Sequence, residues 1–321
     1  MNLVEEALKA EKRIRKYIIE TPLQYSQFLS KAGDCEVYLK LENMQTTGSF
    51  KIRGAMNKIL SVLDEKKDVE FVTSSSGNHA LAFAYSTDKL GLKGTVYLPE
   101  YTSKAKIEAL QHYNLEINFY GDDCVKTEKY ARKVAEKNNS VFISPYNDYK
   151  IIAGQATIAV ELERQLRMID SILVPIGGGG LISGVGSYLK EIKTDAKIIG
   201  CQPENSAVMY ESIKAGKILD IPSKPTISDG TAGGIEENSI TYDLCKKYVD
   251  DYILLSEESI MDAIRLVIDK HQILVEGAGA LSIASFLKHK KKFKKQNIVL
   301  VISGSKISLD VLKEILCLSS T

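Results

Sequence analysis

Apolar and polar residues alternate along the chain with two different periods, which predict strands and helices in regular succession. Short runs such as EVYLKLE (36–42) have an apolar residue at every second position, the pattern of a half-buried strand. Longer segments such as EESIMDAIRLVIDKH (257–271) repeat apolar residues at intervals of three and four, the spacing of one helix face. Strands separated by helices of this length predict an α/β fold with parallel sheets that carry helices on both faces.

The same two periods locate the other elements. Strands are predicted at 36–42, 70–76, 93–99, 115–121, 171–180 (ending in glycines), 196–203, 251–257 and 297–304. Helices are predicted at 53–66, 77–90, 103–113, 124–138, 151–166 and 257–271, and both termini are predicted to be helical.

Charge and hydropathy exclude two classes of partner. The 321 residues carry a formal net charge of +1, so no overall attraction to nucleic acid or anionic lipid is expected. The basic run KHKKKFKKQ (288–296) is the local exception, and such a run is more often a solvated helix end than a binding patch. No apolar run approaches the 18 residues of a membrane span. The sequence therefore predicts no nucleic-acid and no membrane partner.

The cysteines and the N-terminus favour a cytoplasmic protein. The first twenty residues mix acids and bases around their apolar positions and lack the continuous apolar stretch of a signal peptide. The five cysteines are far apart and form no Cys-x-x-Cys pair, which argues against a disulfide framework or a zinc site. They are Cys35, Cys124, Cys201, Cys245 and Cys317.

Four consecutive glycines, Gly177, Gly178, Gly179 and Gly180, separate a buried strand from a helix. Glycines let main-chain N–H groups converge, and the start of a helix favours a phosphate. The run does not satisfy G-x-G-x-x-G, so a compact phosphate monoester is a better ligand than a dinucleotide. The alternative is a tight turn that only brings strand and helix close together.

A second polar turn, TSSSGNHA (73–80), also follows a strand and opens a helix. Ser75, Ser76, Asn78 and His79 offer hydroxyl, amide and main-chain donors that suit a carboxylate or a ring hydroxyl. The pattern equally fits an ordinary helix cap. No second ligand lies near His79 in the sequence, so no metal site is predicted there.

Lys51, in LENMQTTGSFKIRGA (41–55), precedes a predicted helix, where a lysine is usually a surface charge. Here it coexists with a phosphate cradle and an anion-binding turn. Pyridoxal 5'-phosphate needs these three features: an amine for a Schiff base, a phosphate site and donors for the substrate carboxylate and the ring oxygen.

The motifs TGSFKIRGA, SSGNHA, IAGQATIAVE, VPIGGGGLISG and VISGS occur in this order from about residue 10 to 310. Together they resemble fold-type II pyridoxal-phosphate enzymes, the family of threonine/serine ammonia-lyases (dehydratases) and serine racemases. The resemblance implies a two-domain, tryptophan synthase beta-like α/β fold with the cofactor in the interdomain cleft. It implies a small domain at 51–147, a large domain at 1–50 and 148–321, and a homodimer.

The resemblance also assigns site residues. Lys51 corresponds to the Schiff-base lysine and catalytic base, and Phe50 to the residue that flanks the cofactor ring. Asn78 corresponds to the asparagine that binds the ring oxygen, and Ser303 to the serine that faces the pyridine nitrogen. The phosphate cradle corresponds to Gly177, Gly178, Gly179, Gly180 and Leu181.

The substrate carboxylate is assigned to the turn with Ser75, Ser76, Asn78 and His79, and Ser76 also corresponds to the second acid/base of the racemases. A neutral hydroxyl at the ring nitrogen makes the ring a weaker electron sink than a carboxylate would, which suits β-elimination. Two positions depart from the family pattern. Lys306 adds a charge near the predicted ring edge, and Gln202 replaces an acid that helps the serine racemases to hold a divalent ion, so no metal site is predicted.

The expected function is therefore a pyridoxal-phosphate-dependent ammonia-lyase that acts on L-threonine, L-serine or a related β-hydroxy amino acid and forms a 2-oxo acid and ammonia. The first alternative is an amino-acid racemase on the same scaffold. The second is β-replacement, and the third is a binding protein without catalysis.

Overall fold

The structure is a computed structural model that describes residues 2–317, and its strands form two separate sheets. The strands of this part of the chain are β1 (Leu23–Tyr25), β2 (Glu36–Lys40), β3 (Phe71–Ser74), β4 (Gly94–Leu98), β5 (Glu116–Phe119), β6 (Val141–Phe142), β7 (Ser171–Pro175), β8 (Lys197–Pro203), β9 (Asp251–Leu255) and β10 (Asn297–Val301).

The larger sheet has the order β1-β2-β10-β7-β8-β9. Its neighbours are parallel except β1, which runs antiparallel to β2 and pairs Leu23 with Lys40. Because β2 from the start of the chain lies beside β10 from its end, both ends of the chain build one sheet. The sequence did not predict β1, which is too short to show a period.

The smaller sheet has the order β5-β4-β3-β6 and is parallel throughout. All four of its strands lie inside the predicted small-domain range 51–147. The division of the chain into domains at those two residues remains a prediction.

Helices surround both sheets, as the alternation of periods predicted. They are α1 (Leu3–Ile14), α2 (Gln27–Gly33), α3 (Lys51–Leu63), α4 (Asn78–Lys89), α5 (Lys104–Gln111), α6 (Cys124–Lys137), α7 (Tyr149–Gln165), α8 (Gly180–Glu191), α9 (Val208–Ala215), α10 (Ile240–Tyr248), α11 (Glu257–His271), α12 (Gly277–His289) and α13 (Leu309–Cys317). The prediction at 257–271 agrees with α11 at both ends. At the start of the helix the Ser256 hydroxyl acts as a cap by accepting from Ser259 N.

The helix that predictions missed most clearly is α12, because it is apolar on nearly every side and so shows no amphipathic period. It is buried between the larger sheet and α11, and it carries core residues such as Leu281, Ile283 and Phe286. The basic run 288–296 lies at its end and in the following 3₁₀ turn, where Phe293 is buried. No helix within residues 2–317 has the length and apolar character needed to cross a membrane.

Candidate active site

The predicted site residues lie where strands of both sheets end at their carboxyl edges. The serine-rich turn follows β3, the glycine run follows β7, and Ser303 follows β10. Residues 48–50 pair with residues 303–305: Phe50 N donates to Ser303 O at 3.1 Å, and Ser305 N donates to Gly48 O at 3.0 Å. This pairing holds the start of α3, and with it Lys51, beside the end of β10. Ligands of open α/β sheets bind at such carboxyl edges.

Lys51 is the first residue of α3, and its amine is partly enclosed by protein. Its Nζ donates to the main-chain oxygen of Pro145 at 2.9 Å and lies 5.3 Å from the centre of the Phe50 ring. Burial lowers the pKa of Lys51 to about 8, although the negative charge of Glu276 opposes this shift. A substantial fraction of the amine is therefore neutral near physiological pH and can act as a nucleophile or base.

The glycine run leaves no room for side chains. A Cβ on Gly178 would lie 2.5 Å from the Tyr146 ring, and Gly179 has φ +85°, which a residue with a side chain rarely adopts. α8 begins at Gly180 without a side-chain cap, so its first N–H groups are free to bind an anion. The Leu181 side chain belongs to the apolar core of the larger sheet, so only its main chain can contact a phosphate.

Asn78, the first residue of α4, contacts an acid that the sequence interpretation did not identify. Its Nδ2 lies 2.9 Å from Oε1 and 3.0 Å from Oε2 of Glu276, whereas its Oδ1 is buried and has no hydrogen-bond partner. Glu276 is 3% exposed, and burial raises the pKa of its carboxyl to about 7. An acid at the start of the otherwise apolar segment GAGALSIASF was the available signal, because a charge there needs a buried partner.

The side chains of the serine-rich turn differ in their burial and in their hydrogen-bond contacts. Ser75, Ser76 and Asn78 are half-buried at the cleft, and Ser75 Oγ accepts from Gly77 N at 3.3 Å. The prediction for His79 concerns its place in the turn as a whole, and the ring itself makes a structural contact. Its ring is 3% exposed, its Nε2 is 3.0 Å from the main-chain oxygen of Ile143, and burial lowers its pKa to about 3. The ring is a neutral structural donor, and only the main chain of His79 remains available to a substrate.

The sequence also predicted a charge from Lys306 near the ring edge. The Lys306 side chain is exposed and lies against Gly48, and only its main-chain N–H contacts the site, donating to Glu276 Oε2 at 2.9 Å. The predicted effect of this charge at the ring edge remains a prediction.

Both ends of the Gln202 side-chain amide are hydrogen-bonded to the main chain of nearby residues. Its Oε1 accepts from Tyr210 N at 2.9 Å, and its Nε2 donates to Ser206 O at 3.4 Å. Val208 is buried nearby and offers no ligand atom. These residues do not fit a divalent ion, and no cluster of three or more His, Cys, Asp or Glu within residues 2–317 is arranged to hold one.

Together these groups fit pyridoxal phosphate on structural grounds. The amine of Lys51 has a lowered pKa, the glycine run is a cradle that any Cβ would fill, and the buried Oδ1 of Asn78 has no hydrogen-bond partner in the described part of the chain. Ser303 is buried at the end of β10, and its main chain is bound to Phe50. The arrangement offers a phosphate site, a base and polar contacts around a flat ring.

Comparison with known proteins identifies the family. Residues 14–304 match the family model described as pyridoxal-phosphate dependent enzyme. The chain is 36% identical over 316 residues to an L-threonine ammonia-lyase of Thermotoga maritima, which covers 98% of this chain and 78% of that protein. It is 36% identical over 314 residues to the catabolic L-threonine dehydratase TdcB of Escherichia coli K12, covering 97% and 95%.

Solved structures agree in fold. Maize serine racemase superposes with a TM-score of 0.91 at 31% identity, covering 98% of this chain and 96% of that one. The processed threonine deaminase isoform 2 of Solanum lycopersicum superposes with a TM-score of 0.92 at 31% identity, covering 98% and 86%. The predicted fold is thus confirmed. The chain belongs to the pyridoxal-phosphate dependent enzymes, and its cofactor is pyridoxal 5'-phosphate.

Proposed function

We propose that this chain is an ammonia-lyase that converts L-threonine, L-serine or a related β-hydroxy amino acid to a 2-oxo acid and ammonia. The observation that carries the proposal is the Lys51 amine, whose pKa of about 8 leaves it able to take a proton near neutral pH. Elimination removes a proton from Cα and the hydroxyl group from Cβ, which together make one water. Hydrolysis then consumes one water and releases the nitrogen, so the net products are the 2-oxo acid and ammonia.

The bound cofactor supplies an electron sink that makes the Cα proton of the substrate acidic. Lys51 Nζ takes that proton, and the contact with the Pro145 oxygen orients the amine. The main-chain N–H groups and hydroxyls of Ser75 and Ser76, at the start of α4, bind the substrate carboxylate. Gly177, Gly178, Gly179, Gly180 and the main chain of Leu181 bind the cofactor phosphate.

Three further residues contact the cofactor ring in this proposal. Phe50 lies beside the amine and flanks the ring, and Asn78 contacts the ring oxygen. Ser303 presents a neutral hydroxyl to the ring nitrogen, which suits elimination better than a carboxylate does because elimination needs no long-lived carbanion. Ser303→Asp should therefore lower the rate of elimination and alter the absorbance of the bound cofactor.

A mass measurement tests the site apart from the reaction. Borohydride treatment of the purified protein should leave a pyridoxyl group on Lys51 and none on Lys58, a lysine of the same helix that pairs with Asp148. An adduct on any other lysine would contradict the assignment of Lys51.

An assay of amino acids tests the reaction. We expect 2-oxo acid from L-threonine or L-serine, and little D-isomer. The racemase remains the second candidate because Ser76 lies half-buried in the substrate turn, where a second acid/base would be needed, and because maize serine racemase is similar. Racemisation faster than elimination would favour it. Ser76→Ala should retain elimination from L-serine within about tenfold and lose racemisation.

We also propose a cytoplasmic homodimer. Cys35, Cys124, Cys201, Cys245 and Cys317 are free thiols, as expected in a reducing compartment. Met44 and Leu274 are exposed apolar residues, and Asn43 Nδ2 donates to Leu274 O, so the two chain segments that carry them meet. Light scattering after gel filtration should give twice the chain mass, and a monomer would contradict this.

A further inference from the structure

The contact between Asn78 and Glu276 uses only one end of the asparagine amide. Both carboxylate oxygens lie within 3.0 Å of Nδ2, while Oδ1 is buried and has no partner within the described part of the chain. The oxygen can therefore accept a further hydrogen bond, and its place beside the predicted cofactor site makes the cofactor the donor or partner that we consider. The amide is thus held by its nitrogen, and its oxygen remains for the cofactor side.

Glu276 itself is held from the larger sheet. Its main-chain N donates to Gly304 O at 3.1 Å, and its Oε2 accepts from Lys306 N at 2.9 Å. A Cβ on Gly304 would lie 2.5 Å from Oε1, so the carboxylate packs directly on the main chain that follows β10. Because Asn78 starts a helix after a strand of the smaller sheet, the contact joins the two sheets across the cleft.

The charge of the acid determines which end of the amide it prefers. A carboxylate only accepts hydrogen bonds and therefore selects the Nδ2 end. A protonated carboxyl can donate to Oδ1, and the amide can then turn and offer its nitrogen to the cofactor. The two states present opposite hydrogen-bonding groups to the same ring oxygen.

We propose that Glu276 is a positioning residue that holds the Asn78 amide in one of its two orientations and so decides which group Asn78 presents to the ring oxygen of the cofactor. The inference rests on pyridoxal phosphate as the cofactor and on Asn78 as the residue at its ring oxygen. It holds equally for elimination and for racemisation, so it can fail independently of the proposed reaction.

The groups around Glu276 place its ionisation near neutral pH. The groups that face the carboxyl are the Lys51 amine, which favours the charged form, the Asp229 carboxylate, which opposes it, the Asn78 amide and the main-chain N–H of Lys306. Burial is the largest effect and raises the pKa of Glu276 to about 7. The ring of His79 is neutral and adds no charge.

The direct test follows the side-chain amide of Asn78 by NMR in full-length protein labelled with ¹⁵N-asparagine, with and without pyridoxal phosphate. The signal is assigned by its loss in Asn78→Ser. In the wild type it should shift between pH 6 and pH 8.5, around the pKa of about 7. Glu276→Gln should abolish this shift, and Glu276→Asp should keep it with a different midpoint. The matched control is Glu116→Gln, because Glu116 accepts from the Asn118 amide at 2.8 Å on the exposed strand β5, and it should leave the Asn78 signal unchanged.

Cofactor and kinetic measurements give a second set of readouts. Glu276→Gln should move the pH midpoint of the cofactor's visible absorbance and lower kcat about tenfold to a hundredfold with KM within about twofold, since a misoriented contact affects the reacting geometry more than substrate binding. Glu276→Asp should recover part of the loss, and circular dichroism confirms folding of each variant. An Asn78 signal with the same pH dependence in wild type and Glu276→Gln would overturn the proposal, whatever the activities are.

Discussion

Lys51 and Arg53 are two residues apart on α3 and belong to two different buried polar clusters. The clusters differ in how many of their polar atoms have hydrogen-bond or ion-pair partners. The structural cluster centres on Arg53, which is 0% exposed. Its guanidinium donates to Glu42 at 2.7 and 2.8 Å and to Glu161 at 2.7 and 2.9 Å, and also to Thr157 Oγ1 at 3.0 Å. Lys40 completes the cluster by donating to Glu161. The cluster of Lys51, Asn78 and Glu276, called the catalytic cluster after its proposed role, has a single main-chain contact for its amine and a buried amide oxygen without a partner among residues 2–317.

The pKa shifts run in opposite directions in the two clusters. Paired charges raise the pKa of Arg53 and lower that of Glu161, although burial acts against both shifts, so the charged forms are stabilised. In the catalytic cluster burial dominates, lowering the pKa of Lys51 and raising that of Glu276. Lys40 is the exception in the structural cluster, because burial outweighs Glu161 and lowers its pKa. Full pairing therefore marks a group that holds the fold, and incomplete pairing marks a group available for chemistry.

The largest effect is expected from Lys51→Ala. Turnover should fall at least about a thousandfold because the base is lost, while the protein without cofactor should unfold at the same temperature or higher because a poorly solvated amine is removed. Assay of 2-oxo acid and scanning calorimetry on the same samples measure both. Residual turnover above a hundredth of the wild type would remove Lys51 from the mechanism.

Arg53→Met should lower the unfolding free energy of the protein, whereas Lys51→Ala should lower its turnover. It leaves Glu42 and Glu161 buried with too few partners, and removal of one member of a buried ion pair typically costs about 3–5 kcal/mol of unfolding free energy. Urea unfolding of the cofactor-free protein measures the loss. Lys126→Met is the control, because its ion pair with Asp122 is in solvent, and its urea midpoint should not change. Equal midpoints for both variants would contradict the structural role of the Arg53 cluster.

Glu276→Gln should stabilise the cofactor-free protein at pH 8. The folded pKa of Glu276 is about 7 against a reference value of 4.5, so between these values the folded state binds more protons than the unfolded state. The wild type therefore loses stability as pH rises from 4.5 to 7, by at most about 3 kcal/mol, and the variant, which has no charge to bury, should gain up to about that amount at pH 8.

Urea unfolding of wild type and Glu276→Gln at pH 5 and pH 8 distinguishes this effect from a general change in packing. The difference between the two proteins should be large at pH 8 and small at pH 5. A difference that does not depend on pH would show that Glu276 is ionised in the folded protein throughout this range, as it is in the unfolded chain, and would contradict the raised pKa.

The smallest effects should come from two matched removals of one hydroxyl. Thr157→Val deprives Arg53 of one acceptor and should lower the unfolding free energy by about 1 kcal/mol without changing kcat/KM. Ser303→Ala should leave the unfolding free energy within about 0.5 kcal/mol but alter the absorbance of the bound cofactor. If Thr157→Val changed catalysis as much as Ser303→Ala, the separation between the clusters would be wrong.

Much of the fold was predictable because the parallel strands and amphipathic helices follow local periods. The elements that were not predicted are the very short strands β1 and β6, the helices α2, α9 and α10, and the buried helix α12, which is apolar on nearly every side. The division at residues 51 and 147 was predicted from a resemblance and remains a prediction. α3 illustrates the difficulty, because it packs against α4 of the smaller sheet and against α7 beside the larger one.

Candidate site residues that lie in continuous motifs were also predictable from the sequence. Lys51, the glycine run and the serine-rich turn combine residue types whose chemistry is legible over a few positions. The Glu276 contact was not, because its partner Asn78 is 198 residues away. The sequence also could not show that the ring of His79 is bound to the main-chain oxygen of Ile143, and the place of His79 in the substrate turn remains a prediction.

By itself the sequence determined the alternation of strands and helices and the α/β class, since both depend on local period, and its motifs indicated the cofactor and the candidate site residues through local chemistry and a family resemblance. Only the tertiary structure decided which charges are satisfied. Burial and pairing depend on atoms contributed by distant segments, so two basic residues of one helix, Lys51 and Arg53, acquire opposite pKa shifts from different neighbours. That difference in surroundings suits one to the proposed role of base and makes the other part of a fully paired buried cluster.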